Sequence, residues 1–274
     1  MILVDGADTA AVPALDRGLA YGDGVFRTLA IRDGAPLHWR RQYAKLASDC
    51  AAIGIAPPAK PLLRGEVTQV AQAEQHCALK VIVTRGLSER GYRYDAKTPA
   101  VRIVLSSPYP HYPSSYYDCG VRVRRCRLRL AEQPALAGIK HLNRLENVLA
   151  RAEWTDSEIA EGLLLDNGDF VIGGTMSNLF IARSGTLVTP DLGRCGVAGV
   201  TRDRVIDAAA AHGIAITIGR ITWSDVLSAD EAFLVNSLAG VWPISELEGT
   251  KLSIGPLVRS VQRWLDQDDD ADLA

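Results

Sequence analysis

The 274-residue sequence is poor in the features that mark metal centres, disulfide scaffolds and membrane spans. Its five cysteines, Cys50, Cys77, Cys119, Cys126 and Cys195, are odd in number and include no Cys-x-x-Cys pair or zinc-type spacing, so they read as reduced cytosolic thiols. His38, His76, His111, His141 and His212 are scattered and no His-Glu-x-x-His pattern occurs, so no protein-ligated metal is expected. No run approaches about eighteen apolar residues, and the chain reaches polar residues within five positions of Met1 without a basic start. The expected compartment is the cytoplasm. Charge of one sign is also lacking: 30 Lys and Arg stand against 32 Asp and Glu, a formal net of -2. That balance indicates neither a nucleic-acid footprint nor a basic membrane surface, and leaves a small molecule as the expected partner.

The length suits two compact domains. Met1 to Val4 and Gly24 to Arg32 have strand character, and alternation in the second puts Phe26 and Thr28 on one face, with Val25, Arg27 and Leu29 on the other. Helical spacing covers Leu37 to Ile55, with Tyr43, Leu46 and Cys50 on one stripe and Pro57-Pro58 beyond its end. A second helix is expected from Leu62 to Gln75 and a buried strand from Ala78 to Arg85. The Leu87 to Tyr94 loop is rich in arginine and tyrosine, which suits a planar anionic ligand as well as a solvated loop. After a strand at Val101 to Ser107, the prolines of 108–113 mark an extended connector and the domain boundary.

Beyond it, Val121 to Leu130 reads as an alternating strand, and a basic face is expected of it, suited to phosphate or to water. Asn167-Gly168 is a hairpin signal between strands at 162–166 and 169–172. Strands are expected at 178–182, 186–189 and 231–235, helices at 202–212, 222–228 and 257–265, and a solvated acidic tail from Asp266. Ahead of the Arg202 helix, Gly196-Val-Ala-Gly199-Val200-Thr201 offers free N–H groups and a hydroxyl at a helix N-terminus, which fits a phosphate or an ordinary capped turn.

Lys140 lies just ahead of a further helical pattern. Leu142, Leu145, Val148, Leu149 and Ala152 recur at three- and four-residue spacing, so an amphipathic helix is expected from near Asn143 with its apolar stripe inward. A lysine held at such a junction and partly desolvated can lose its proton near neutral pH and act as Schiff-base nucleophile or base, although most lysines are simply exposed.

Six ordered blocks together decide more than any one. They are Asp16-Arg-Gly-Leu-Ala-Tyr-Gly-Asp-Gly24, Thr84-Arg-Gly86 with Arg90-Gly-Tyr92, and Gly138-Ile-Lys140-His-Leu-Asn-Arg-Leu145. The others are Ser177-Asn-Leu-Phe180, Gly196-Val-Ala-Gly-Val-Thr-Arg202, and Ala229-Asp-Glu231 leading to Asn236-Ser237. Over nearly its whole length the chain resembles the fold-type IV pyridoxal-phosphate enzymes, which include branched-chain and D-amino-acid aminotransferases and 4-amino-4-deoxychorismate lyases. The Lys140 block, preceded by Leu128-Arg-Leu-Ala-Glu-Gln-Pro134, looks most like the lyases.

The resemblance implies an α/β (α+β) fold, D-amino-acid aminotransferase-like, with an N-terminal domain at 1–110, a linker at 111–120, a cofactor-binding domain at 121–265 and the tail at 266–274. It implies pyridoxal 5'-phosphate in the interdomain cleft, a homodimer, and Lys140 as the Schiff-base lysine and catalytic base. Lys45, Gly173, Gly199, Val200, Thr201, Asn236 and Ser237 fall at cofactor-binding positions, and Phe26, Arg27, Arg90 and Tyr92 at substrate positions. Three of these depart from the family pattern. Gly173 stands where relatives carry a glutamate that pairs with the pyridine nitrogen, Lys45 where they carry a phosphate-binding arginine, and Arg27 where they often have a small polar or acidic residue. The expected activity is elimination of pyruvate from 4-amino-4-deoxychorismate to give 4-aminobenzoate, a step of folate biosynthesis. The alternatives are an aminotransferase of D- or branched-chain amino acids and a paralogue impaired by Gly173.

Overall fold

The computed structural model describes the backbone of residues 1–273 and the side chains of residues 1–269. The chain divides into two compact units, one built on Met1–Pro110 with Ile139–Asn143, the other on His111–Gly138 with Arg144–Ala271.

The first unit contains β1 (Ile2–Val4), β2 (Ala7–Asp8), α1 (Arg17–Tyr21), β3 (Gly24–Arg32), β4 (Ala35–Pro36), α2 (Trp39–Ala52), α3 (Lys60–Glu74), β5 (Cys77–Thr84) and β6 (Val101–Ser107). Its strands form one antiparallel sheet in the order β2-β1-β6-β5-β3-β4. The alternation expected for β3 is present: Val25, Arg27 and Leu29 are buried, while Phe26 and Thr28 are half-buried on the opposite face with Lys80 and Ile82 of β5. The core side packs Val25, Leu29, Leu79 and Val83 against Leu46 and Cys50 of α2 and Leu63, Val67 and Val70 of α3. Each fully buried aliphatic chain there contributes about 1.5–3 kcal/mol relative to exposure.

The second unit contains α4 (Ser115–Asp118), β7 (Val121–Leu130), α5 (Leu145–Arg151), β8 (Ile159–Asp166), β9 (Val171–Gly174), β10 (Asn178–Arg183) and β11 (Thr186–Pro190). It continues with α6 (Val200–Ala211), β12 (Ile216–Gly219), α7 (Trp223–Leu227), β13 (Glu231–Asn236), β14 (Gly240–Leu247), β15 (Thr250–Lys251) and α8 (Pro256–Leu273). The sheet order is β12-β11-β10-β13-β14-β7-β8-β9, with β15 on β14. It is mixed, with parallel pairs at β11/β12, β14/β7 and β7/β8.

Several local expectations are corrected here. The helix after Lys140 is only α5, and its apolar stripe faces outward: Leu145, Val148 and Leu149 are 67%, 61% and 53% exposed, while Ala150 is buried with Cys126, Leu164 and Trp154. Periodicity found a face but not what covers it. The acidic residues after Leu265 continue α8 as helix instead of forming a tail, and buried Arg204 of α6 donates to Asp268, Asp269 and the Leu265 carbonyl. The basic side chains of β7 make ion pairs within the chain, Arg122 with Glu246, Arg124 and Arg127 with Glu153, and Arg125 and Arg129 with Asp169, while Arg127 stays 83% exposed. The β8–β9 turn takes its left-handed residue at Asp169, not at Gly168. Residues 108–113 carry no regular element, and α4 follows them, with Tyr112 and Tyr116 setting their rings edge-on to Trp242. β14 escaped notice because Pro243 argues against an interior strand; a bulge between Ile244 and Glu246 follows it.

Candidate functional site

In the first unit, Lys140 is held by β3. Phe26 N–H donates to the Lys140 carbonyl at 3.0 Å and Leu142 N–H to the Gly24 carbonyl at 2.9 Å, so residues 140–142 run as a short antiparallel bridge beside Gly24–Phe26. Lys140 therefore belongs to an extended segment, not to the end of a helix. It is half-buried, and its Nζ lies 4.7 Å from the centroid of the Phe26 ring. Lys80 Nζ lies 4.6 Å from the same centroid, so two lysine side chains share one aromatic ring. Burial pulls the Lys80 ammonium below the ordinary lysine range, and no carboxylate pairs with it among the described residues.

Arg27 points to the core side of β3, where it forms a buried ion pair with Asp49 of α2. The same Asp49 oxygen accepts the backbone N–H of Lys140 at 3.1 Å. Arg27 therefore has an internal charge partner on the face of β3 opposite Phe26. Lys45 lies one helical turn before Asp49 and is half-buried.

The Arg90 and Tyr92 loop is fastened from beneath. Arg17 donates to Ser88 Oγ, the Gly91 carbonyl and the Tyr92 carbonyl, while Arg85 donates to the Ile53 and Gly54 carbonyls and stacks 3.7 Å from the Tyr94 ring centroid. Both guanidinium groups also donate to Asp23 Oδ2 at 2.8 Å. Burial pushes the Asp23 carboxyl up, but the hydrogen bonds and charges of Arg85 and Arg17 outweigh it and hold it below its ordinary value. Above this anchor Arg90 is exposed and makes no ion pair among the described residues, and the Tyr92 side chain is 85% exposed.

In the second unit, α6 starts at Gly199 without a side-chain cap. Asn178 at the start of β10 fixes this start, its Oδ1 accepting from Gly199 N and its Nδ2 donating to the Val197 carbonyl. A Cβ on Gly199 would sit 2.4 Å from Asn178 Oδ1, so the contact needs glycine. No protein group among the described residues accepts the amides of Val200 and Thr201 or bonds the Thr201 hydroxyl. Aligned N–H groups at the positive end of a helix favour an anion. Asn236 turns inward to the amides of Leu238 and Ala239, and Ser237 is half-buried in the same turn.

Gly173 of β9 is buried and carries no carboxylate. Glu161 of β8, fully buried, lies against the following turn, but its two oxygens already accept from Gly162 N, Thr175 N, Thr175 Oγ1, Met176 N and Ser177 Oγ. It holds the turn and has no vacant acceptor geometry to offer a ligand. Sequence reasoning missed Glu161, Asp49 and Lys80. Asp49 left one signal, an acidic residue inside the apolar stripe of a helix, next to Cys50.

Comparison with known proteins gives a consistent family. The model of amino-transferase class IV matches residues 24–247. Aminodeoxychorismate lyase of Vibrio harveyi is 32% identical over 266 residues, covering 96% of this chain and 98% of that protein. D-alanine aminotransferase of Bacillus licheniformis is 28% identical over 271 residues, covering 93% and 90%. The crystal structure of 4-amino-4-deoxychorismate lyase from Pseudomonas aeruginosa superposes with a TM-score of 0.95 at 46% identity, covering 98% of this chain and all of that one. No helix among the described residues is long and apolar enough to cross a membrane. With one model spanning both units and full-length relatives on either side of the lyase and transaminase divide, the chain belongs to the pyridoxal-phosphate-dependent class IV aminotransferase family, of fold type IV.

Proposed function

We propose that the protein is an aminodeoxychorismate lyase, releasing pyruvate from 4-amino-4-deoxychorismate to leave 4-aminobenzoate. Each unit, taken by itself, offers residues that suit one part of pyridoxal phosphate. The unclaimed amides of Val200 and Thr201 and the Thr201 hydroxyl suit its phosphate, with Gly199, Asn236 and Ser237 beside them in sequence or in the family pattern. Lys140, fixed on β3 and set over Phe26, suits the Schiff-base position, and Lys45 supplies a point charge where relatives use an arginine fork. Bound there, the cofactor supplies an electron sink for the pair left on the substrate carbon.

Lys140 Nζ accepts the proton from the ring carbon that bears the amine. The C–O bond to the enolpyruvyl group then breaks, and the departing enol takes a proton to become pyruvate. Atoms balance without water or redox partner. Arg90, on the loop that Arg17 anchors, and Lys80, which pairs with no carboxylate among the described residues, hold the anionic groups of the substrate; Phe26 packs on its ring.

The observation that favours elimination over transamination is Gly173. Aromatisation drives the elimination, whereas transamination must stabilise a carbanion and return a proton to the cofactor, which relies more on a carboxylate at the ring nitrogen. The test is to supply enzymatically generated aminodeoxychorismate and follow 4-aminobenzoate. Release is expected from the wild type and a loss of at least about a thousandfold from Lys140→Ala. No product above the Lys140→Ala background would reject the lyase. The same reading places the protein in the cytoplasm as a step of folate biosynthesis. It also makes the protein a homodimer, for which the exposed Leu145, Val148 and Leu149 of α5 are the apolar surface offered; light scattering at the mass of one chain would reject that part.

A further inference from the structure

We infer that Asp49 is the positioning residue for Lys140 and that Arg27 serves the site through Asp49. The inference rests on Lys140 being the cofactor lysine, as proposed above. Ile139–Asn143 groups with the first unit although the chain on both sides of it groups with the second, so its place depends on a few contacts with β3 and α2. In an antiparallel pair that exchanges both bonds, Lys140 N–H would return to the Phe26 carbonyl. Instead only the Phe26 amide to Lys140 carbonyl bond follows the ladder, and the Lys140 amide turns to Asp49 Oδ2 at 3.1 Å. The ladder stops at this residue, and both polar groups of the Lys140 backbone have fixed partners. That sets the direction in which its side chain leaves the chain, toward the Phe26 ring.

Asp49 is 5% exposed, and a carboxylate at that depth needs a countercharge. Arg27, 3% exposed, supplies it through Nη2 to the same oxygen that receives the Lys140 amide. Residues 26 and 27 of one strand therefore grip Lys140 from both sides, Phe26 on its carbonyl directly and Arg27 on its amide through Asp49. The replacement at position 27 thereby acquires a physical account: it is the charge partner of an acidic residue on α2.

The test uses the full chain freed of cofactor and follows backbone hydrogen exchange at residues 139–143, so it does not depend on turnover. Asp49→Ala is expected to raise exchange of the Lys140 amide by about tenfold or more, while the Phe26 and Leu142 amides, which keep their carbonyl partners, change less. Asp49→Asn keeps an acceptor and is expected to recover most of the protection; Arg27→Met falls between. Uptake of pyridoxal phosphate, followed by its visible absorbance, should slow in the same order. Unchanged Lys140 exchange in Asp49→Ala, or loosening spread evenly over β3 and α2, would overturn the inference. Should Asp49→Ala not fold, Arg27→Met decides by the same comparison: Lys140 exchange raised above wild type is expected, and unchanged exchange would overturn the inference. A wild type that takes up no cofactor rejects the proposed function while leaving the exchange result to stand or fall alone.

Discussion

Gly22 and Asn143 meet so closely that a Cβ on the glycine would lie 2.3 Å from Asn143 Oδ1, while Asn143 Nδ2 donates to the Gly22 carbonyl at 3.3 Å. Gly22 also closes α1 with φ 66°, a left-handed value that favours glycine. Gly22→Ala is expected to destabilise by about 1–2 kcal/mol, part from φ and part from displacing Asn143. Because the asparagine is exposed and can swing away, Gly22→Ala in an Asn143→Ala background should cost less than in the wild type. Urea denaturation of the four proteins measures the coupling; equal costs in both backgrounds would remove Asn143 from the account.

Asp23 joins Arg17 and Arg85, and its carboxyl is held below the ordinary 3.8 by those two arginines against the effect of burial. A carboxyl whose folded value is depressed contributes stability that is present above the unfolded value and lost as pH falls through the folded one. Asp23→Asn is expected to be about 2 kcal/mol less stable at pH 7. The gap to wild type should hold down to roughly pH 4 and shrink below it. Limited proteolysis should cut first in the loop that Arg17 ties down through the Gly91 and Tyr92 carbonyls.

The elements that sequence made legible are those in which local pattern and burial agree. β3 alternates as it should because one face meets α2 and α3, and the α6 start was visible as glycines ahead of Thr201. α5 was misread because a 3.6-residue stripe is the same whether its cover is this chain or something else. Asp49 was missed because a charge inside an apolar stripe is resolved only by its partner, and Arg27 stands 22 positions away in sequence. The pairing of the acidic residues that follow Leu265 was hidden for the same reason, their cation Arg204 lying on another helix.

Glu161 offers a test of the turn next to Gly173. Its buried carboxylate takes five donors, and glutamine at that site would present an amide nitrogen to groups that themselves donate. Glu161→Gln is expected to lose about 3 kcal/mol in thermal or chemical unfolding. Glu161→Asp, which keeps the charge but withdraws it, should lose less. If Glu161→Gln is as stable as wild type, the carboxylate is not what orders Thr175 to Ser177.

Gly173→Glu asks whether the missing carboxylate can be restored. The backbone resists it: a Cβ there would lie 2.9 Å from the Ser177 carbonyl oxygen, the same oxygen that accepts the Gly174 amide at 2.8 Å. The turn must shift to admit a side chain, at about 1–3 kcal/mol, so a lower melting temperature is expected. If Gly173 is what disfavours transamination, the variant should also convert the bound cofactor with a D- or branched-chain amino acid faster than wild type, read as loss of visible absorbance without the lyase substrate. A variant that is less stable but no faster in that half-reaction would mean that position 173 shapes the turn without tuning the ring.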